Sequence, residues 1–245
     1  MDLVTGAALD AFAARLTGVD GVEALWVGGS LATGDHVPGV SDLDLVALTS
    51  GPVDRASITA IHQDLDRGLA SGLDLGFQYA DRARLEDLAA EHPTWTHGEL
   101  VERIVSLVTR VELAQHGYAL LGPPPADVLP AGTGDRAREA ARAELAGYWA
   151  WAARHPEMFW RHPVMVDLGL TGMARARHSV RTGALLTKTA AIEQAHAPRW
   201  LKEQMRARRR GEQVRSPRWR AAYVAWGDVR RTTSSGGSAA PGAQT

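Results

Sequence analysis

Apolar positions along the chain change their spacing several times, and each change marks an element. Residues 7–17 (AALDAFAARLT) repeat at helical spacing. Residues 22–29 (VEALWVGG) form a short apolar run closed by glycines and read as a strand; residues 42–49 (DLDLVALT) read as a second, with Gly51-Pro52 as its breaker. Helical spacing returns over 53–70 (VDRASITAIHQDLDRGLA), and 73–80 (LDLGFQYA) alternates as a third strand. The spacing over 97–117 (HGELVERIVSLVTRVELAQHG) predicts one helix ending at Gly117. The stretch LLGPPPADVLPAGTG cannot continue a helix and sets a boundary near residue 130. Beyond it, helices are predicted over 135–154, 163–182, 187–196, 198–210 and 217–231, separated by Pro156, Pro163, Gly183, Pro198 and Pro217. From Thr232 onward the chain is small, polar and rich in Gly and Ser, the composition of a disordered tail. The pattern therefore predicts a mixed α/β domain with a small sheet over residues 1–130, an all-α helical bundle over 131–231 and a tail over 232–245.

Composition narrows the class. With 45% hydrophobic and 22% charged residues, the 245-residue chain reads as globular. It has no cysteine, which excludes disulfides and thiolate metal sites. No apolar run reaches membrane-spanning length, and the N-terminus lacks the basic region and apolar core of a signal peptide, so a cytoplasmic protein without a membrane partner is expected. A monomer is the expected state. The net charge of −1 hides a split: residues 1–130 hold 7 basic and 19 acidic residues (net −12), and residues 131–245 hold 20 and 9 (net +11). Such a split fits two surfaces that attract each other, or an acidic half that handles cations beside a basic half that handles phosphate.

The second strand carries the sharpest signal. Side chains alternate along a strand, so Asp42 and Asp44 project from one face while Leu43 and Leu45 anchor the other. Two carboxylates this close repel unless something positive lies between them, and a hard cation such as Mg²⁺ meets that need with carboxylate and phosphate oxygens. On the third strand Asp74 and Gly76 share one face, opposite Leu73, Leu75 and Phe77. If the two strands are neighbours, Asp74 becomes a third carboxylate, placed for metal-assisted attack on a phosphoryl group. The Gly28-Gly29-Ser30 turn ahead of them reads alone as a tight turn. In this context its backbone N–H groups, with a short helix from Ser30, suit a phosphate.

A Gly-Ser turn, a loop, Asp-x-Asp on a strand and a later strand acid resemble the polymerase-beta-like nucleotidyltransferase superfamily. The second half, with HGYALLGPPPADVL (116–129), a Trp-rich helix and ARARHSVRTGALLTKTAAIEQA (174–195), is similar to the helical domain of aminoglycoside adenylyltransferases of the streptomycin/spectinomycin type. The resemblance spans roughly residues 20–205. It implies transfer of AMP from ATP with Mg²⁺ to a hydroxyl of a small cationic acceptor. It implies Gly29 and Ser30 at the nucleotide phosphates and Asp42 and Asp44 at the metal. Asp74 stands where the family has a glutamate as general base; one methylene shorter, it fits either a base or a third metal ligand. Arg175 and Lys188 fall at positions implied to meet ATP, and Lys188 is one of only two lysines. For the acceptor, Trp95 offers an aromatic wall or a packing ring. Asp167, in PVMVDLGL, offers a cleft acid, a helix cap or a salt bridge to Arg161.

Other features read as structural. Trp149, Trp151 and Trp160 are expected to pack the helical core, His155 and His162 flank prolines, and the nine histidines show no metal spacing. The Arg-rich stretch 199–231 reads as solvated helices, and nucleic acid is not the expected partner. It nonetheless supports one alternative, nucleotidyl transfer to protein or tRNA as in toxin–antitoxin systems. The other alternative is a nucleotide-binding module without catalysis.

Overall fold

The computed structural model describes residues 2–236. The chain divides into two compact units, Met1–Gly132 and Thr133–Thr245. The first contains α1 (Leu3–Leu16), β1 (Val22–Val27), α2 (Gly29–Ala32), β2 (Leu43–Thr49), α3 (Arg55–Arg67), β3 (Leu75–Asp81), β4 (Glu91–Thr96), β5 (Glu99–Ile104), α4 (Leu107–His116), β6 (Tyr118–Leu121) and α5 (Pro125–Val128). Its mixed sheet has the order β5-β4-β3-β2-β1-β6. β2 and β3 run parallel, joined through α3, and the other neighbours are antiparallel.

Alternation along the strands sorts side chains into two layers. Leu25, Leu45, Phe77, Tyr79 and Trp95 meet Leu9 and Phe12 of α1 and Ile58 and Leu65 of α3. Trp26, Val46, Leu48 and Ala80 meet Leu113 of α4 and Leu129 beyond α5. The central strand β2 is thus covered on both faces, and this explains its nearly continuous apolar run. Asp44 is its exposed exception. Side-chain caps fix the helix starts: Asp2 accepts from the backbone N of Val4 and Thr5, and Asp54 from Ala56 and Ser57.

Two expectations are corrected here, and one strand is added. Residues 97–117 are not one helix: β5 pairs with β4 through a two-residue turn at His97 and Gly98, and α4 begins only at Leu107. Both turn residues have positive φ (51° and 78°), the signature of the hairpin turn whose twist matches its strands. The helical spacing of Leu100, Ile104 and Leu107 arises from an edge strand followed closely by a helix. Residues 118–121 of the proline-rich connection add β6 to the sheet beside β1. β3 starts at Leu75, so Asp74 stands just ahead of it.

The second unit comprises α6 (Gly134–Glu144), a π-helical segment (Leu145–Trp149), α7 (Ala150–Arg154), α8 (Glu157–Arg161), α9 (Val164–Thr182), α10 (Lys188–Gln194), α11 (Arg199–Arg209) and α12 (Arg218–Gly236). Its core gathers Leu145, Trp149, Phe159, Leu170, Met173, Ile192, Leu201, Met205, Ala222 and Val229. Trp149 lies over Gly172 of α9, where a Cβ would come within 2.5 Å of the ring. Trp160 packs against this core, whereas Trp151 is 40% exposed and stacks on His155. α9 ends at Gly183 in the left-handed conformation (φ 74°). The disordered tail expected from Thr232 is corrected for its first residues. α12 continues to Gly236, and Thr232 is buried, its hydroxyl accepting from Arg177 at 2.6 Å. The rest of that expectation, 237–245, lies outside the described residues.

Candidate active site

The site is assembled where β1 ends and β2 begins. Gly28 N donates to Asp44 O at 2.9 Å, which lays the Gly28-Gly29-Ser30 turn against the start of β2. Gly29 adopts φ 59°, and a Cβ on it would come within 1.9 Å of Asp44 Oδ2. Only glycine leaves room for that carboxylate. On the other side, Asp44 pairs in register with Gly76 of β3, whose Cβ position lies 3.4 Å from Asp44 Oδ1. The Asp44 carboxylate therefore sits between two glycines. One residue after Gly29 in the turn, Ser30 Oγ is buried and has no hydrogen-bond partner among the described residues. The four-residue helix α2 starts at Gly29, one residue ahead of the expected Ser30.

The parallel pairing of β2 and β3 places Asp42 and Asp74 immediately ahead of the paired positions Leu43 and Leu75, and Leu43 N donates to Asp74 O at 2.7 Å. The exposed Asp74 also borders a cavity of about 250 Å³ with Asp66, Leu73, Trp95 and His97. Among the described residues no three His, Asp or Glu side chains converge as a metal cage. Asp42 and Asp44 nevertheless supply hard oxygen donors of the kind Mg²⁺ takes when phosphate oxygens and waters complete its shell. The unpartnered Ser30 hydroxyl, in the turn laid against the start of β2, suits a phosphate oxygen.

Sequence reasoning missed Glu112. It lies on α4, whose next residue, Leu113, packs against Gly28, and its Oε1 accepts from Gly29 N at 2.8 Å. Nothing in its local pattern could have found it, because the contact joins residues 83 apart.

Of its two readings, Trp95 takes the packing one, while it also borders the cavity that Asp74 lines. It is 2% exposed, its centroid stacks 5.0 Å from His62, and its Nε1 donates to Asp66 at 2.9 Å. Burial pushes His62 down to about 3, and His62 shares a 2.9 Å hydrogen bond with Tyr79, whose phenol burial pushes up. Of the readings for Asp167, the salt bridge is present but to another partner: both its oxygens are bound by Arg208, at 2.7 Å each, rather than by Arg161. The two residues line a cavity of about 650 Å³ in the second unit, with Phe159, Val164, Val214 and Ser216.

Arg175 and Lys188 belong to one local structure. Arg175 Nε donates to Leu186 O at 2.8 Å, anchoring the loop that leads into α10, where Thr187 is the cap and half-buried Lys188 the first residue. Near Arg175, burial raises the Glu144 carboxyl above its ordinary value, and the guanidinium opposes that rise. Within the Arg-rich stretch, Arg199, Arg206, Arg208 and Arg210 each pair with an acid.

Residues 9–117 match the family model described as a nucleotidyltransferase domain. The structure is similar to spectinomycin adenyltransferase AAD(9) from Enterococcus faecialis, solved with ATP and spectinomycin. The TM-score is 0.65 at 12% identity, over 94% of this chain and 98% of that one. A toxin–antitoxin structure with AMP-PNP aligns over 49% of this chain and 77% of that one, at 19% identity and a TM-score of 0.31, too low to carry an argument. No curated protein matches the sequence significantly. No helix among the described residues is long and apolar enough to cross a membrane. Residues 9–117 thus match a nucleotidyltransferase domain, and the chain shares the fold seen for AAD(9).

Proposed function

We propose that the chain transfers AMP from ATP to a hydroxyl of a small cationic acceptor of the aminoglycoside class. The observation that carries this reading is the Asp44 carboxylate lodged between Gly29 and Gly76, with an unpartnered Ser30 hydroxyl in the same turn as Gly29, within residues that match a nucleotidyltransferase domain. In this reading the Ser30 hydroxyl and the Gly29 turn hold the nucleotide phosphates. Asp42 and Asp44 hold Mg²⁺, which when bound neutralises phosphate charge and aligns the leaving group. The acceptor oxygen forms a bond to the α-phosphorus as the bond to the β-phosphate oxygen breaks, and pyrophosphate departs with that electron pair. Asp74 takes the hydroxyl proton. Arg175 and Lys188 neutralise the triphosphate. The structural similarity to an enzyme solved with spectinomycin supports a small cationic acceptor.

Incubation with Mg²⁺ and ATP labelled at the α-phosphate, across aminoglycosides, spectinomycin, tRNA and total protein, tests the reading. Label is expected in a small cationic drug. Label in tRNA or protein would move the acceptor to that class, and no label anywhere would leave a nucleotide-binding module without transfer.

A further inference from the structure

The Gly29 N–H, the donor that this proposed function assigns to phosphate, is already occupied by an anion of the chain itself. Glu112 Oε1 accepts from it at 2.8 Å. The contact is built: Leu113 presses against Gly28, Gly28 N is tied to Asp44 O, and the left-handed Gly29 fixes the direction of its own N–H. A carboxylate oxygen at 2.8 Å from a glycine N–H in such a turn occupies the place and carries the charge of a phosphate oxygen. The adjacent Ser30 hydroxyl, buried without a partner, has no such stand-in.

Resting on the proposed function, we propose that Glu112 is a resident phosphate mimic that nucleotide must displace, so that it sets nucleotide affinity by competing for the Gly29 N–H. Two anions cannot share one donor, and a carboxylate left beside a bound triphosphate repels it. Nucleotide binding therefore requires the Glu112 side chain to leave the turn. A side chain that merely braced the turn would act in the opposite direction, because its loss would loosen the donor and weaken binding. The sign of the effect separates the two roles.

The test is calorimetric titration of the full chain with Mg²⁺ and a non-hydrolysable ATP analogue, comparing wild type, Glu112→Gln and Glu112→Ala at one ionic strength. Gln keeps an acceptor of the same shape and removes the charge; Ala removes both. Affinity is expected to rise in the order wild type, Gln, Ala, with Ala about tenfold tighter, the scale of a hydrogen bond to a charged group. Unchanged or weaker binding in both variants, each melting as a folded chain, overturns the proposal and leaves Glu112 a brace. Should Ala alone melt early, the Gln variant decides by the same sign. If none of the three binds the analogue, the nucleotide reading itself falls, and the mimic with it.

Discussion

At the scale of single residues, the site depends on what a glycine leaves out. A Cβ at residue 29 would strike Asp44 Oδ2 at 1.9 Å, and φ there is 59°. The strain of a left-handed alanine costs about 1–2 kcal/mol. The easiest relief for the clash is for the Asp44 side chain to turn away. Gly29→Ala is therefore expected to lower stability and abolish transfer together. Asp44→Asn is expected to abolish transfer while its melting temperature holds or rises, since a carboxylate repulsion is removed. Melting curves with labelled-ATP assays on both variants check this, and normal transfer by Asp44→Asn would remove it from the site. His62 gives a second residue-scale prediction. Its folded value near 3 lies below the ordinary 6.5, so between those values the unfolded chain binds a proton that the folded chain does not. His62 therefore contributes full stability above about pH 6.5, and that contribution falls as pH drops toward 3, by up to about 1.4 kcal/mol per unit. His62→Phe keeps an aromatic ring against Trp95 and cannot titrate. Its stability should depend less steeply on pH than the wild type's between pH 6 and 4 in denaturant melts. Parallel slopes would show that His62 does not titrate on unfolding as described.

At the scale of elements, the β4–β5 hairpin carries the most position-specific constraint. Its turn demands positive φ at two successive residues, and residue 97 meets this with a histidine at 51°. Asparagine tolerates this region and valine does not. His97→Asn is expected to fold with unchanged or slightly raised stability, and His97→Val to lose about 1–2 kcal/mol. Both substitutions remove the Nδ1 contact to Thr96 Oγ1 at 3.0 Å, so their difference isolates the backbone. Urea titration of the pair reads that difference directly, and equal stabilities would mean that the turn does not hold this conformation in solution. The same turn matters to the proposed chemistry, because His97 borders the cavity that Asp74 also lines.

At the scale of the whole molecule, charge is split between the two halves of the chain. The first 130 residues contain no lysine and carry net −12, a poor environment for a triphosphate. In the proposed function Lys188 and Arg175 supply positive charge to the triphosphate. Lys188→Ala is expected to weaken ATP by about 1–3 kcal/mol without unfolding the chain. Calorimetric titration measures this, and wild-type affinity in the variant would remove Lys188 from the nucleotide site. Arg175 is less suited to the same test, because its bond to Leu186 O also anchors the loop into α10.

What the sequence by itself determined is local. Periodicity and breakers located α1, α3 and the central strands β1 to β3, as well as most helices of the second unit, because those elements bury one face of their own. Asp42, Asp44, Gly29 and Ser30 stood out as candidates because two acids in an apolar strand and a glycine pair ahead of it conflict with simple packing. Tertiary structure decided the rest. β4, β5 and β6 exist through pairing with strands elsewhere in the chain, and an exposed edge strand such as β5 leaves no clean apolar alternation. Trp95 and Asp167 were legible as unusual residues but not as partners of His62, Asp66 and Arg208, since those partners lie on other elements. Glu112 reaches Gly29 only when α4 packs beneath the turn. Hydrogen bonds and ring contacts between distant residues have no periodicity to read, so they became visible only when the chain had closed on itself.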